Sequence, residues 1–156
     1  MITKTLLEFK ALLQINKPII AIDYGMRKTG LALSDPGKII AMPFNTIYQI
    51  DKKEKIKAIL NLATSCLACG IVIGLPINMD GTISEQTTIL LKFTDTLNLA
   101  TELPIYLQDE RLSSKAANSL LKSLGFNRRE RNNKDDAIAA SMLLETTLNS
   151  MQKLLY

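Results

Sequence analysis

Three short apolar runs follow one another closely near the start of the chain. They are Pro18–Gly25, Thr29–Ser34 and Lys38–Thr46. Gly25–Lys28 joins the first two, and Asp35-Pro36-Gly37 joins the last two. A parallel return would need a crossover of about a dozen residues, so connections this short predict an antiparallel meander. Asp-Pro-Gly is strong turn chemistry and supports the second reversal.

The period then changes. Ile56, Ile59, Leu60, Ala63 and Leu67 recur at helical spacing across Asp51–Cys69, and Gly70 is a helix-ending signal. Ile71–Leu75 reads as a buried strand, residues 84–99 as a helix and Pro104–Leu107 as a fifth strand. Ser113–Leu124 reads as a helix, 126–134 as a polar loop and Asp135–Leu148 as a last helix. Ahead of the meander, residues 3–15 form a short amphipathic helix that Pro18 closes off. The order predicts an α/β fold: one mixed five-stranded sheet, three antiparallel strands then β-α-β-α crossovers, with helices on both faces. That order is the RNase H-like arrangement, in which strand one is central. The expected divisions are an N-terminal helical extension over 1–17, the domain over 18–150 and a tail over 151–156.

Composition narrows the chemistry. The 156 residues suit one domain, and 47% hydrophobic content supports a real core. His is absent, which excludes Ser-His-Asp and Cys-His nucleophiles and His-ligated zinc. Catalysis is left to carboxylates, Lys, Tyr, hydroxyls, thiols or bound metal. Two cysteines cannot build a disulfide framework, and no apolar run approaches the ~18 residues of a membrane span. These features predict a cytoplasmic protein with no membrane partner. The net charge of +4 is compatible with nucleic acid. More informative is that the acids of the second half gather at a few places.

Four segments carry those groups. Asp23-Tyr-Gly25-Met-Arg27-Lys28 puts an acid at the end of a buried strand, followed by two bases able to meet phosphates. Gly25 and Gly30 permit a tight turn and close approach by a ligand. Gly74–Thr82 links a strand to a helix, where α/β folds bind ligands, and Asn78, Thr82 and Ser84 offer hydrogen bonds. Asp109-Glu110-Arg111 directly follows the fifth strand. Adjacent residues there point to opposite faces, so one acid aims at the site; Glu110 is preferred, and Asp109 is the alternative under a one-residue slip. Asp135-Asp136 opens the last helix, and Asp136 lies on the face that Ala140, Leu144 and Leu148 continue. In this sheet Asp23, Glu110 and Asp136 converge. Three carboxylates need a cation, and hard oxygen donors favour Mg²⁺ or Mn²⁺. Two such ions about 3.5–4 Å apart serve phosphodiester hydrolysis without His.

Other features read more plainly. Cys66-Leu-Ala-Cys69 lacks further zinc ligands and reads as burial in the helix. Lys52, Lys53, Lys55 and Lys57 read as a solvated basic face. Arg128, Arg129 and Arg131, in the segment leading to Asp136, are bases able to hold phosphates.

With these residues in view, the chain resembles the YqgF/RuvX family of bacterial Holliday junction resolvases, also described as pre-16S rRNA nucleases. The matching segments are AIDYGMRKTGLALSD (21–35), IVIGLPINMDGT (71–82), LQDERLSSKAA (107–117) and KDDAIAASMLLE (134–145). The resemblance implies an RNase H-like fold and metal-dependent phosphodiester cleavage by Asp23, Glu110 and Asp136, with Arg27 and Arg111 on nucleic acid. The implied substrate is precursor rRNA, with a ribosomal particle as partner, or branched DNA. A monomer suits RNA processing and a homodimer suits a two-fold junction. Two other classes stand beside the nuclease. One is a non-catalytic RNA-binding assembly factor on the same surface. The other is a sugar- or acetate-kinase-like phosphotransferase, for which the chain is too short to enclose ATP.

Overall fold

The computed structural model describes residues 1–49, 51–78, 80–110 and 128–154, with 128–135 described by their backbone. The expected helix Ser113–Leu124 lies outside the described residues. Helix α1 spans Leu6–Leu12, followed by strands β1 (Ile19–Asp23), β2 (Thr29–Ser34) and β3 (Ala41–Ile47). Then come α2 (Lys52–Ser65), β4 (Gly70–Leu75), α3 (Glu85–Ala100), β5 (Ile105–Asp109) and a last helix, α4 (Arg128–Lys153).

The strands form one sheet in the order β3-β2-β1-β4-β5. The β1–β2 and β2–β3 pairs are antiparallel, whereas β1–β4 and β4–β5 are parallel. β1 is therefore the central strand, as the order of elements required. The Asp35 carboxylate accepts from the amides of Ile39 and Ile40 and shapes the second reversal, and Lys38 has φ 59° there. That turn delays β3 to Ala41, three residues beyond its expected start.

Alternation along the strands splits the core in two. Ile20, Ile22, Ile71 and Ile73 pack under α2 and α3 against Ile59, Leu90 and Phe93. Ile19, Ala21, Ala32 and Val72 pack under α1 and α4 against Phe9, Ala140, Leu144 and Leu148. The first residues lie along the outer edge of β5. Ile2 bridges Ile105, the Thr3 amide donates to the Ile105 carbonyl, and the Ile105 amide donates to that of Met1. An edge strand that would otherwise offer unpaired amides is thereby partly covered.

Two expectations need correction. Residues 128–134 are not a loop but the opening turns of α4. Arg, Glu and Lys there are good helix formers, and their propensity prevails over the turn tendency of Asn132 and Asn133. The cysteines are not both within α2. Cys66 is its C-cap, and Cys69 lies buried beyond it, its thiol directed at the carbonyls of Gln14 and Lys17.

Candidate active site

The site lies where the carboxyl ends of β1, β4 and β5 meet α4. Asp23 ends β1 and pairs in register with Gly30 of β2. Both continue the row that holds Ala21 and Ala32, which faces α4. Gly30 is fully needed as glycine: a Cβ there would fall on the Asp136 carbonyl. What approaches Gly30 is therefore the backbone of α4, not a ligand. Through this contact the third turn of α4 rests beside the end of β1.

Glu110 arrives from the other side. Its amide donates to the Leu75 carbonyl at 3.1 Å, which extends the β4–β5 ladder by one residue. Its side chain lies over Gly74, where a Cβ would collide with the carboxylate. A hydrogen bond joins the side chains of Glu110 and Asp23. Burial raises the Glu110 carboxyl above the ordinary carboxylate range, the bond with Asp23 opposes that, and the charge of Asp109 adds to it. Two carboxyls in hydrogen-bond contact hold a proton between them or a cation beside them, since a fully charged pair repels.

Asp136 is partly exposed, with its backbone on Gly30. Among the described residues no group of three or more Asp, Glu, Cys or His side chains stands close enough to hold a metal ion. The structure thus joins Asp23 and Glu110 and places Asp136 next to them through its main chain. Arg27 and Lys28 are exposed on the β1–β2 turn. Arg111 lies outside the described residues, as do the side chains of Arg128, Arg129 and Arg131.

The β1–β2 turn is braced from beneath by a residue that sequence reasoning misread. Lys55 does not belong to a solvated face; it is 1% exposed. Its Nζ donates to the carbonyls of Gly25 at 2.7 Å and Met26 at 3.2 Å and lies 4.6 Å from the Tyr24 ring centre. Burial lowers its pKa from the ordinary lysine value. The signal was present: Lys55 falls four residues before Ile59, on the apolar stripe of α2. Gly74 was also missed as a functional position, although a glycine inside a buried strand marks a close approach.

The Gly74–Thr82 loop uses its polar groups on itself. Asn78 donates to the Thr82 hydroxyl, while the Thr82 amide and hydroxyl both donate to Asp80. Ser84 caps α3 by accepting from the Thr87 amide.

The sheet order, with its two helical layers, defines an RNase H-like protein. Residues 17–150 match the family described as RuvX: Holliday junction resolvase. A protein of Rickettsia felis named "Putative pre-16S rRNA nuclease" is 56% identical over 99% of this chain and 100% of its own length. A relative of the same name in Rickettsia typhi is 54% identical, covering 98% of each chain. The chain belongs to the RuvX Holliday junction resolvase family. Among solved structures, fowlpox virus resolvase with Holliday junction DNA aligns at TM-score 0.53 and 12% identity, over 89% of this chain and 99% of that one. T. thermophilus RuvC with its junction substrate aligns at TM-score 0.50 and 14% identity, over 86% and 96%. These two likenesses are of fold.

Proposed function

We propose that this chain is a divalent-metal-dependent endonuclease of structured nucleic acid that processes the 5′ end of precursor 16S rRNA. The observation that carries the reading is the Asp23–Glu110 carboxyl pair at the end of the central strand, on the face that α4 closes. Paired oxygen donors, one of them raised by burial, suit a hard cation, so the donor set fits Mg²⁺ or Mn²⁺. Asp23 and Glu110 would hold the ion, with Asp136 as the third ligand. When bound, it supplies charge stabilisation at the phosphate and a more acidic water.

The chain's own groups set up the rest. Asp23 and Glu110 fix the negative locus that the phosphodiester must approach. Arg27 and Lys28, on the braced turn beside it, hold the phosphate backbone, and Arg111, Arg128, Arg129 and Arg131 add to that hold. The proposed nuclease unit is residues 18–150; within 1–17, Ile2 and Thr3 run along β5 and Phe9 packs in the core, and α4 continues past 150 to Lys153 with Met151 buried. The protein works in the cytoplasm on a ribosomal particle. Among the described residues no helix is long and apolar enough to cross a membrane.

The test is cleavage of a labelled precursor rRNA end and a labelled four-way DNA junction, each with Mg²⁺, Mn²⁺ or EDTA. Parent protein is run beside Asp23→Asn. Metal-dependent cutting of the rRNA, lost in Asp23→Asn, is the expected result. Cutting of the junction alone would move the reading to a resolvase. Binding without cutting by a folded parent would move it to an assembly factor.

A further inference from the structure

A cleft of about 570 Å³ opens at the same end of the sheet, between the β1–β2 turn and the first turn of α3. Its walls are Tyr24, Met26, Arg27, Glu85, Gln86 and Ile89. The mix is uneven in a telling way. Met26 is 61% exposed and offers an apolar side chain at the mouth of the cleft. Ile89 and Tyr24 are half-buried and continue its apolar surface. Arg27 supplies a positive rim, whereas Glu85 and Gln86 supply hydrogen-bond acceptors.

The cleft is also rigid on one side. The Tyr24 ring lies tilted by 34° against Phe93 with ring centres 4.4 Å apart, and Lys55 holds the Gly25 and Met26 carbonyls. The Thr29 hydroxyl donates to the Gly25 carbonyl at 3.0 Å as well. A pocket that is already formed does not spend binding energy on ordering itself. Its size falls within the range of small-molecule sites and exceeds what a single nucleobase fills.

We propose that this cleft is a subsite for one unpaired nucleotide of the substrate. The flat base lies against Met26, Ile89 and Tyr24. Its N–H group donates to Glu85 or to the Gln86 carbonyl oxygen, and Arg27 takes the attached phosphate. Every RNA base carries such a donor on its pairing edge, an amino group or a ring N–H, so the acceptors ask for a base whose pairing edge is free, not for one base identity. The subsite rests on the nuclease reading: the cleft opens at the same end of the sheet as the carboxyl pair, on the α3 side of β1, so a strand that crosses that end from the α4 side reaches both.

The test is methyl NMR of the full chain, ¹³C-labelled at Met and Ile methyls, in EDTA. Free AMP, CMP, UMP and ribose 5-phosphate are titrated separately. AMP, CMP and UMP are expected to move the Met26 and Ile89 methyl signals in a saturable way through ring current, leaving Met151 at the far end of α4 unmoved. Ribose 5-phosphate should leave both methyls in place. Gln86→Ala, an exposed position, should weaken AMP roughly fivefold, about what one hydrogen bond is worth. Still methyls with AMP, or equal shifts with ribose 5-phosphate, would each overturn the proposal. Because no metal is present, the outcome is independent of cleavage. A protein that cuts rRNA with still methyls loses the subsite alone. One that binds AMP yet never cuts loses the nuclease reading.

Discussion

Replacing Lys55 by Met removes the ammonium and keeps the length of the buried stem. The Gly25 carbonyl retains the Thr29 hydroxyl as a donor, whereas the Met26 carbonyl loses the Lys55 bond. A charge-assisted hydrogen bond is worth about 1.5–3 kcal/mol, and two are lost. Against that, the variant no longer buries a charge, a cost of several kcal/mol that the native bonds must offset. The two effects partly cancel and leave a destabilisation of about 2 kcal/mol, mostly the carbonyl stranded without its donor. For a domain of this size that lowers Tm by about 4–8 °C. Scanning fluorimetry of both proteins at pH 7 reads it directly. A Lys55→Met protein melting within about 1 °C of the parent would refute the brace, since the Met26 carbonyl would then have lost its donor at no cost.

Three further outcomes follow from the same geometry. Gly30→Ala sets a methyl group against the Asp136 carbonyl, where both sides are backbone and neither yields easily. The urea midpoint should fall by an amount equivalent to about 1–3 kcal/mol or more, the usual range for overpacking. Gly74→Ala meets instead a flexible carboxylate, that of Glu110. Stability should change by under about 1 kcal/mol while rRNA cleavage falls roughly tenfold or more, and parallel losses of both would contradict the assigned contact. Glu110→Gln removes the repulsion within the carboxyl pair, so in EDTA its Tm should equal or exceed that of the parent. Mn²⁺ at about 100 times its Kd should stabilise the parent by about 2.7 kcal/mol and leave Glu110→Gln almost unmoved, as differential melting would show.

Much of this architecture was legible because its signals are local. Turn chemistry at Asp35-Pro36-Gly37 and the switch from strand to helix spacing after Asp51 need no partner to be read. Strand β2 was bounded correctly at Thr29–Ser34 for that reason. The position of Asp23 at a strand end was equally plain. The preference for Glu110 over Asp109 was an inference about facing, and only the β4–β5 register, with Leu75 opposite Asp109, shows which side chain meets Asp23.

What the amino-acid order determined by itself was the sequence of elements, the absence of His chemistry and the few places where acids stand at strand and helix ends. These depend on neighbours along the chain, whose distances are set by covalent geometry. The tertiary structure decided what meets across the chain. Lys55 resembled three solvated lysines until the β1–β2 turn was laid over α2. Gly30 resembled a turn residue until the main chain of α4 came to rest on it. Each depends on a contact between residues dozens of positions apart, and such contacts exist only after packing has chosen which face of each element is buried.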